Sequence, residues 1–208
     1  QIAEAVVRSE RGQLDEAIPI AEDCAARSEE TGATACAMVT LWVLGDAYQR
    51  QGRFADARES LQRGADISLV VDRVMWRPNL QAWLGTSITA LGDHAAEETW
   101  EEALATSRSI GNRLGEAGIL GKRAEALVAQ GKHAEAFDDF AAAASIFEEF
   151  GTRPRLARTL RGWGEALRAA GRPEEGAEKL RRALSLFEAM GLEAEAWAVR
   201  ARLDSGPG

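Results

Sequence analysis

The chain has 208 residues, 46% hydrophobic and 28% charged, which suits one or two packed domains and is too apolar for wholesale disorder. A net charge of −8 has the wrong sign for a general nucleic-acid surface, and two cysteines cannot make a disulfide scaffold, so a reducing, cytoplasmic compartment is expected. The longest uncharged stretches, 31–45 and 78–92, fall short of the about 20 apolar residues that span a bilayer, so no membrane partner is expected.

Five prolines and one tyrosine among many Ala, Glu and Arg favour helix over sheet. Gln1 falls inside what already reads as a helix, so the chain is expected to be a fragment of a longer protein. A motif then recurs along the chain: GQLDEA from Gly12, GRFADA from Gly52, GDHAAE from Gly92, GKHAEA from Gly131 and GRPEEGA from Gly171. The glycines are 40, 40, 39 and 40 residues apart. Gly32, Gly111, Gly151 and Gly191 mark the other end of each unit, with Asp72 in that place in the second. The period predicts units at 1–32, 33–72, 73–111, 112–151 and 152–191 within a single repeat domain, 1–203. Each unit reads as two helices joined at a turn glycine, because a residue without Cβ enters the left-handed helix stop cheaply. Residues 192–203 read as a capping helix and 204–208 as a disordered tail.

In the first unit and across its boundary, Cys24 and Cys36 read as small buried thiols. In the second, Leu41, Leu44, Ala47 and Tyr48 share one helix face, as do Phe54, Ala57, Leu61, Gly64 and Ala65 on the next helix. In the third, the run Glu97, Glu98, Glu101 and Glu102 reads as a solvated face, and Trp83 as core. In the fourth, Gly111, Gly115, Gly118 and Gly121 lack the Lys-Ser/Thr of a phosphate loop. They are expected to thin one helix face for close packing, and to soften that helix by about 1 kcal/mol per interior glycine. In the fifth, Leu156, Leu160, Trp163, Leu167 and Ala170 form an apolar stripe, and Pro154 and Pro173 stand at helix starts. Arg158, Arg161, Glu165 and Arg168 form a second stripe on the same helix, within a stretch from Arg153 to Arg172 that holds six Arg and one Glu. In the cap, Trp197 and Leu203 are expected to cover the last pair, with Trp163 and Trp197 both in the core. Ala17, Ala57, Ala96, Ala136 and Gly176 lie early in the second helices, where a side chain no larger than methyl lets paired helices approach closely.

Leu44-Gly45-Asp46-Ala47-Tyr48, then Gly52-Arg53-Phe54 and Ala57, resemble the tetratricopeptide repeat, as do Leu84-Gly85 with Gly92 and Ala96, and Trp163-Gly164 with Gly171. The fourth unit departs, with Arg123 and Ala124 in place of Leu-Gly. The resemblance implies an all-α, right-handed α-α superhelix of about five helix pairs plus a C-terminal cap. His94 and His133 then read as replacements for the aromatic that follows the family's turn glycine, so no metal or cofactor is expected. The 40-residue unit, longer than the usual one of about 34, resembles the repeat regions of large bacterial nucleotide-switched regulators and multidomain nucleotide cyclases.

In the resembled family, peptides lie in a concave groove lined by first helices. Carried over by repeat register, that groove comprises Val39, Trp42, Asp46, Gln49 and Arg50; Asn79, Ala82, Thr86 and Thr89; Glu125; and Arg158, Arg161, Glu165 and Arg168. Trp42 reads equally as a groove anchor or as core. From Gln1 to Phe150 the net charge is −11, and from Gly151 onward it is +3, so the C-terminal part suits an acidic segment, to which guanidinium forks bind bidentately. The expected function is a noncatalytic scaffold for a protein or peptide partner, including another domain of its own parent chain. The alternative is a ligand-sensing region of a larger ATP-dependent regulator or cyclase.

Overall fold

A computed structural model describes residues 1–70 and 76–205, with the side chains of Glu10 and Val70 left aside. Asp72 and the last three residues of the expected tail lie outside the described residues. Among those described, the chain is all helix without a strand.

The chain divides into two compact units. The first, Gln1–Asn112, holds α1 (Ile2–Glu10), α2 (Leu14–Glu30), α3 (Thr34–Arg50), α4 (Phe54–Val70), α5 (Arg77–Ala90) and α6 (Ala95–Ser109). The second, Arg113–Gly208, holds α7 (Arg113–Ala129), α8 (His133–Glu149), α9 (Arg153–Ala169), α10 (Pro173–Ala189) and α11 (Glu193–Asp204). Within each unit every helix packs on the next, and alternate helices also touch: α1 with α3, α3 with α5, and α7 with α9. No described helix is long and apolar enough to cross a membrane.

The joints are alike. All nine turn glycines named from the sequence have positive φ, from 63° at Gly151 to 77° at Gly171. At Gly52 the Arg53 amide donates to the Tyr48 carbonyl (2.8 Å) and the Gly52 amide to the Gln49 carbonyl (3.0 Å), the two reverse bonds that close a helix C-terminus on a left-handed residue. A side chain there would be strained by its own Cβ.

Between the helices of a pair, a small residue on the first faces a large one on the second. A Cβ on Gly45 would strike the end of Leu61, and one on Gly85 would come within 2.7 Å of the Trp100 ring. A Cβ on Gly164 would come within 2.7 Å of the Gly176 carbonyl oxygen and 2.8 Å of Leu180 Cγ, so there the two backbones pack closely. In the fourth pair Ala124 takes the glycine's place, and both it and Phe140 are buried in one cluster with Leu127, Ala136 and Ala166. Ala17, Ala57, Ala96, Ala136 and Gly176 are all buried, as close packing requires.

Three sequence expectations are corrected. Gly118 and Gly121 do not thin a face for packing: a Cβ on either meets nothing within 4 Å, because that side of α7 has no neighbour pressed against it. Trp197 is not core but 70% exposed, since its side of α11 points away from the hairpin, while Leu203 is half-buried. Cys36 is exposed in the first turn of α3, turned away from the buried Ala37 and Met38, whereas Cys24 is buried.

Candidate interaction surface

The first helices carry every residue assigned to the groove, and the two units use them differently. In the first unit, Trp42 of α3 meets Trp83 of α5 edge to face, with ring centroids 6.1 Å apart and planes at 79°. Both indoles are half-buried. The Trp42 indole nitrogen is buried without an acceptor. Gln49 reaches the same neighbour, its amide donating to the Trp83 carbonyl (2.6 Å) and to Ser87 Oγ (2.7 Å). On the other side of α3, Arg50 donates to the Ser9 carbonyl (2.6 Å) in the last turn of α1, where a helix end favours a cation, and lies 3.6 Å from Asp46. Thr86 Oγ1 donates back to the Ala82 carbonyl (3.2 Å), and Thr89 Oγ1 accepts from the Trp100 indole (3.4 Å). Asn79 is exposed at the start of α5.

In the second unit, α7 presents Gly118, Gly121 and Glu125. The two glycines occupy the repeat positions that Arg158 and Arg161 occupy on α9, so bare backbone stands at the positions where the neighbouring helix carries guanidinium groups. Glu125 is exposed and accepts from Lys122 (3.3 Å). The α9 stripe turns partly toward α11. Arg158 lies 3.8 Å from Glu195, and Glu165 lies 3.6 Å from Arg202. Arg168 donates to the Arg202 carbonyl and to the Ser205 carbonyl (2.9 Å), at the end of α11. Arg161 sits between these contacts, half-buried.

Two pairings went unread in the sequence. Arg123 and Asp139 form a two-pronged ion pair between α7 and α8, with N–O distances of 2.7 and 2.9 Å and the carboxylate buried. This explains why Arg replaces the apolar residue of the motif in this unit alone: its charge has a partner across the hairpin. Tyr48, read only as apolar face, donates from its hydroxyl to Glu22 (2.5 Å) and lies under the Arg53 guanidinium, 4.4 Å from the ring centroid. Burial, and then the Glu22 hydrogen bond, push its phenol well above the ordinary range. Among the described residues no group of three or more His, Cys, Asp and Glu side chains is placed to hold a metal ion. His133 stacks on Phe137 at 6.2 Å, as an aromatic would, and His94 is exposed at the start of α6.

The chain is similar to several solved structures. BtubC (BKLC) from P. vanneervenii shares 19% identity at a TM-score of 0.66, over 90% of this chain and 78% of that one. A kinesin light chain protein of Podosopora anserina with nearly identical TPR-like repeats shares 20% identity at 0.64, over 91% and 94%. MamA shares 20% identity at 0.52, over 90% and 96%. At these identities the likeness shows the fold, an all-α superhelical repeat. No curated protein matches the sequence. The tetratricopeptide repeat model matches residues 3–69 and 115–189, well over half the chain. With the shared turn geometry and the small-against-large pairing of helices, this settles the relationship: the chain belongs to the tetratricopeptide repeat family.

Proposed function

We propose that the chain is a noncatalytic interaction scaffold that seats an acidic protein segment on the first helices of its second unit. Repeats of this family serve protein–protein interaction in general. The observation that carries the finer reading is the α9 row of Arg158, Arg161 and Arg168. It already draws in anionic and carbonyl oxygens of its own chain, those of Glu195 and of the α11 terminus. Beside it, Gly118 and Gly121 leave α7 open for a ligand backbone. Glu125 and Glu165 border the row and fix the register of an incoming segment. In the first unit, Asn79, Thr86, Trp42 and Asp46 make up that unit's own proposed contact surface, while Gln49 and Arg50 hold its helices together.

The test is fluorescence anisotropy with short labelled peptides rich in Asp and Glu. Arg158→Glu combined with Arg161→Glu abolishes binding while circular dichroism keeps its helical signal. Unchanged affinity overturns the reading. A second reading, a ligand-sensing region of a larger nucleotide-switched regulator, is favoured by the lengthened unit, whose helices α7 to α10 all run 17 residues. A P-loop or cyclase domain encoded in the same gene would support it.

A further inference from the structure

The arginine row on α9 is already occupied at both ends by its own chain. At one end Arg158 Nη2 lies 3.8 Å from the Glu195 carboxylate in the first turn of α11. At the other, both terminal nitrogens of Arg168 donate to carbonyls where α11 stops, Nη1 to Arg202 and Nη2 to Ser205. The last carbonyls of a helix carry its partial negative charge, so α11 offers the row a carboxylate and a second anionic group. Arg161, between them, has no acidic partner among the described residues. The corresponding contacts of the first unit are of another kind. Gln49, at the repeat position of Arg168, is a neutral amide whose bonds to α5 are partly buried. The bonds of Arg168 lie exposed, and Arg158 keeps 58% of its side chain in water. Exposed ion pairs are weak, so a ligand of higher charge can take their place.

We propose that α11 is an internal competitor for the arginine row: Glu195 and the carbonyl end of α11 occupy Arg158 and Arg168 until an acidic segment displaces them. Resting on the reading of that row as the seat of such a segment, this arrangement sets a threshold for its binding. A carboxylate arriving at Arg158 meets the Glu195 charge beside the same guanidinium, and like charges repel. One arriving at Arg168 finds the two terminal nitrogens that would grip it already donated. Arg161 is the open point of entry. Arg158 and Arg168 are about 15 Å apart along the helix, the length of about five residues of extended chain. The ligand that opens both contacts therefore carries acids about five residues apart. Ala196 and Val199 stay buried meanwhile, because only the Glu195 side chain and the last turn of α11 have to move.

Fluorescence anisotropy of the 208-residue chain with a labelled hexaglutamate peptide tests this. Glu195→Gln keeps the shape of the side chain and removes its charge, and binding tightens about twofold to fivefold, the range set by an exposed pair. In an Arg158→Gln background the same substitution no longer tightens it, since the two residues act as a pair. Glu193→Gln takes an equal charge from the exposed start of α11 and has the smaller effect. The circular dichroism spectrum is the same for all these variants. In the NMR spectrum of the complex the amide signals of Arg202 and Ser205 shift, while those of Ala196 and Val199 stay. No binding by the chain, with or without Glu195, overturns both the seat and the competitor. Binding that Glu195→Gln leaves unchanged, or tightens equally without Arg158, overturns the competitor alone, as do static Arg202 and Ser205 signals.

Discussion

α3 and α7 hold the same place in the repeat, and aligned on Gly52 and Gly131 they solve the same problem in opposite ways. On α3 the outward positions are Val39, Trp42, Gln49 and Arg50, and three of these four bind neighbouring first helices: Trp83 and Ser87 on α5, Ser9 on α1. On α7 the same positions are Gly118, Gly121, Val128 and Ala129, with open space around the two glycines. Facing the second helix, α3 uses Leu44 and Gly45 against Leu61, whereas α7 uses Arg123 against Asp139 and Ala124 beside Phe140. The lesson is that a repeat position fixes where a side chain goes and leaves open what it does there. One first helix spends its outward face on holding the stack, and the other leaves it open at Gly118 and Gly121 while Val128 packs against the core.

The largest change expected from breaking this contrast is at the α7–α8 pair. Asp139→Ala removes both prongs of a mostly buried ion pair with Arg123, costing about 3 kcal/mol. Urea denaturation followed by circular dichroism reads it, and Arg123→Leu combined with Asp139→Ser, which restores the α3–α4 chemistry, recovers most of the loss. A smaller effect is expected at α3. Gln49→Ala removes two hydrogen bonds to α5 and costs about 1–2 kcal/mol. Hydrogen exchange then speeds up in α5 more than in α4. The smallest effect has the opposite sign. Gly121→Ala in the interior of α7 meets no neighbour and stabilises by about 1 kcal/mol, raising the urea midpoint.

The repeat and its joints were legible because a turn glycine is written in the sequence at a fixed interval and its backbone need is local. Gly12, Gly52 and Gly191 required no knowledge of what packs where. The small residues early in each second helix were legible for a related reason, since Ala57 and Gly176 repeat in register. Coverage was not legible. Periodicity shows that Gly118 and Gly121 share a face, and that Trp197 is apolar, but whether another element lies over that face depends on tertiary neighbours. The same limit hid the turn of Arg158 and Arg168 toward α11. The arginine stripe is visible in the sequence as spacing on one helix, while the contacts of Arg158 and Arg168 belong to a helix beginning more than twenty residues later. Arg123 is a visible departure from the motif, but nothing in the sequence marks Asp139, 16 residues on, as its partner.

The uniform glycine joints also bear on how the chain acquires its structure. Each is closed by bonds between residues five or fewer apart, Arg53 to Tyr48 being typical, so a hairpin can nucleate without waiting for distant chain to return. Chains built from such short loops collapse quickly, and growth from any one seed proceeds by adding the adjoining helix.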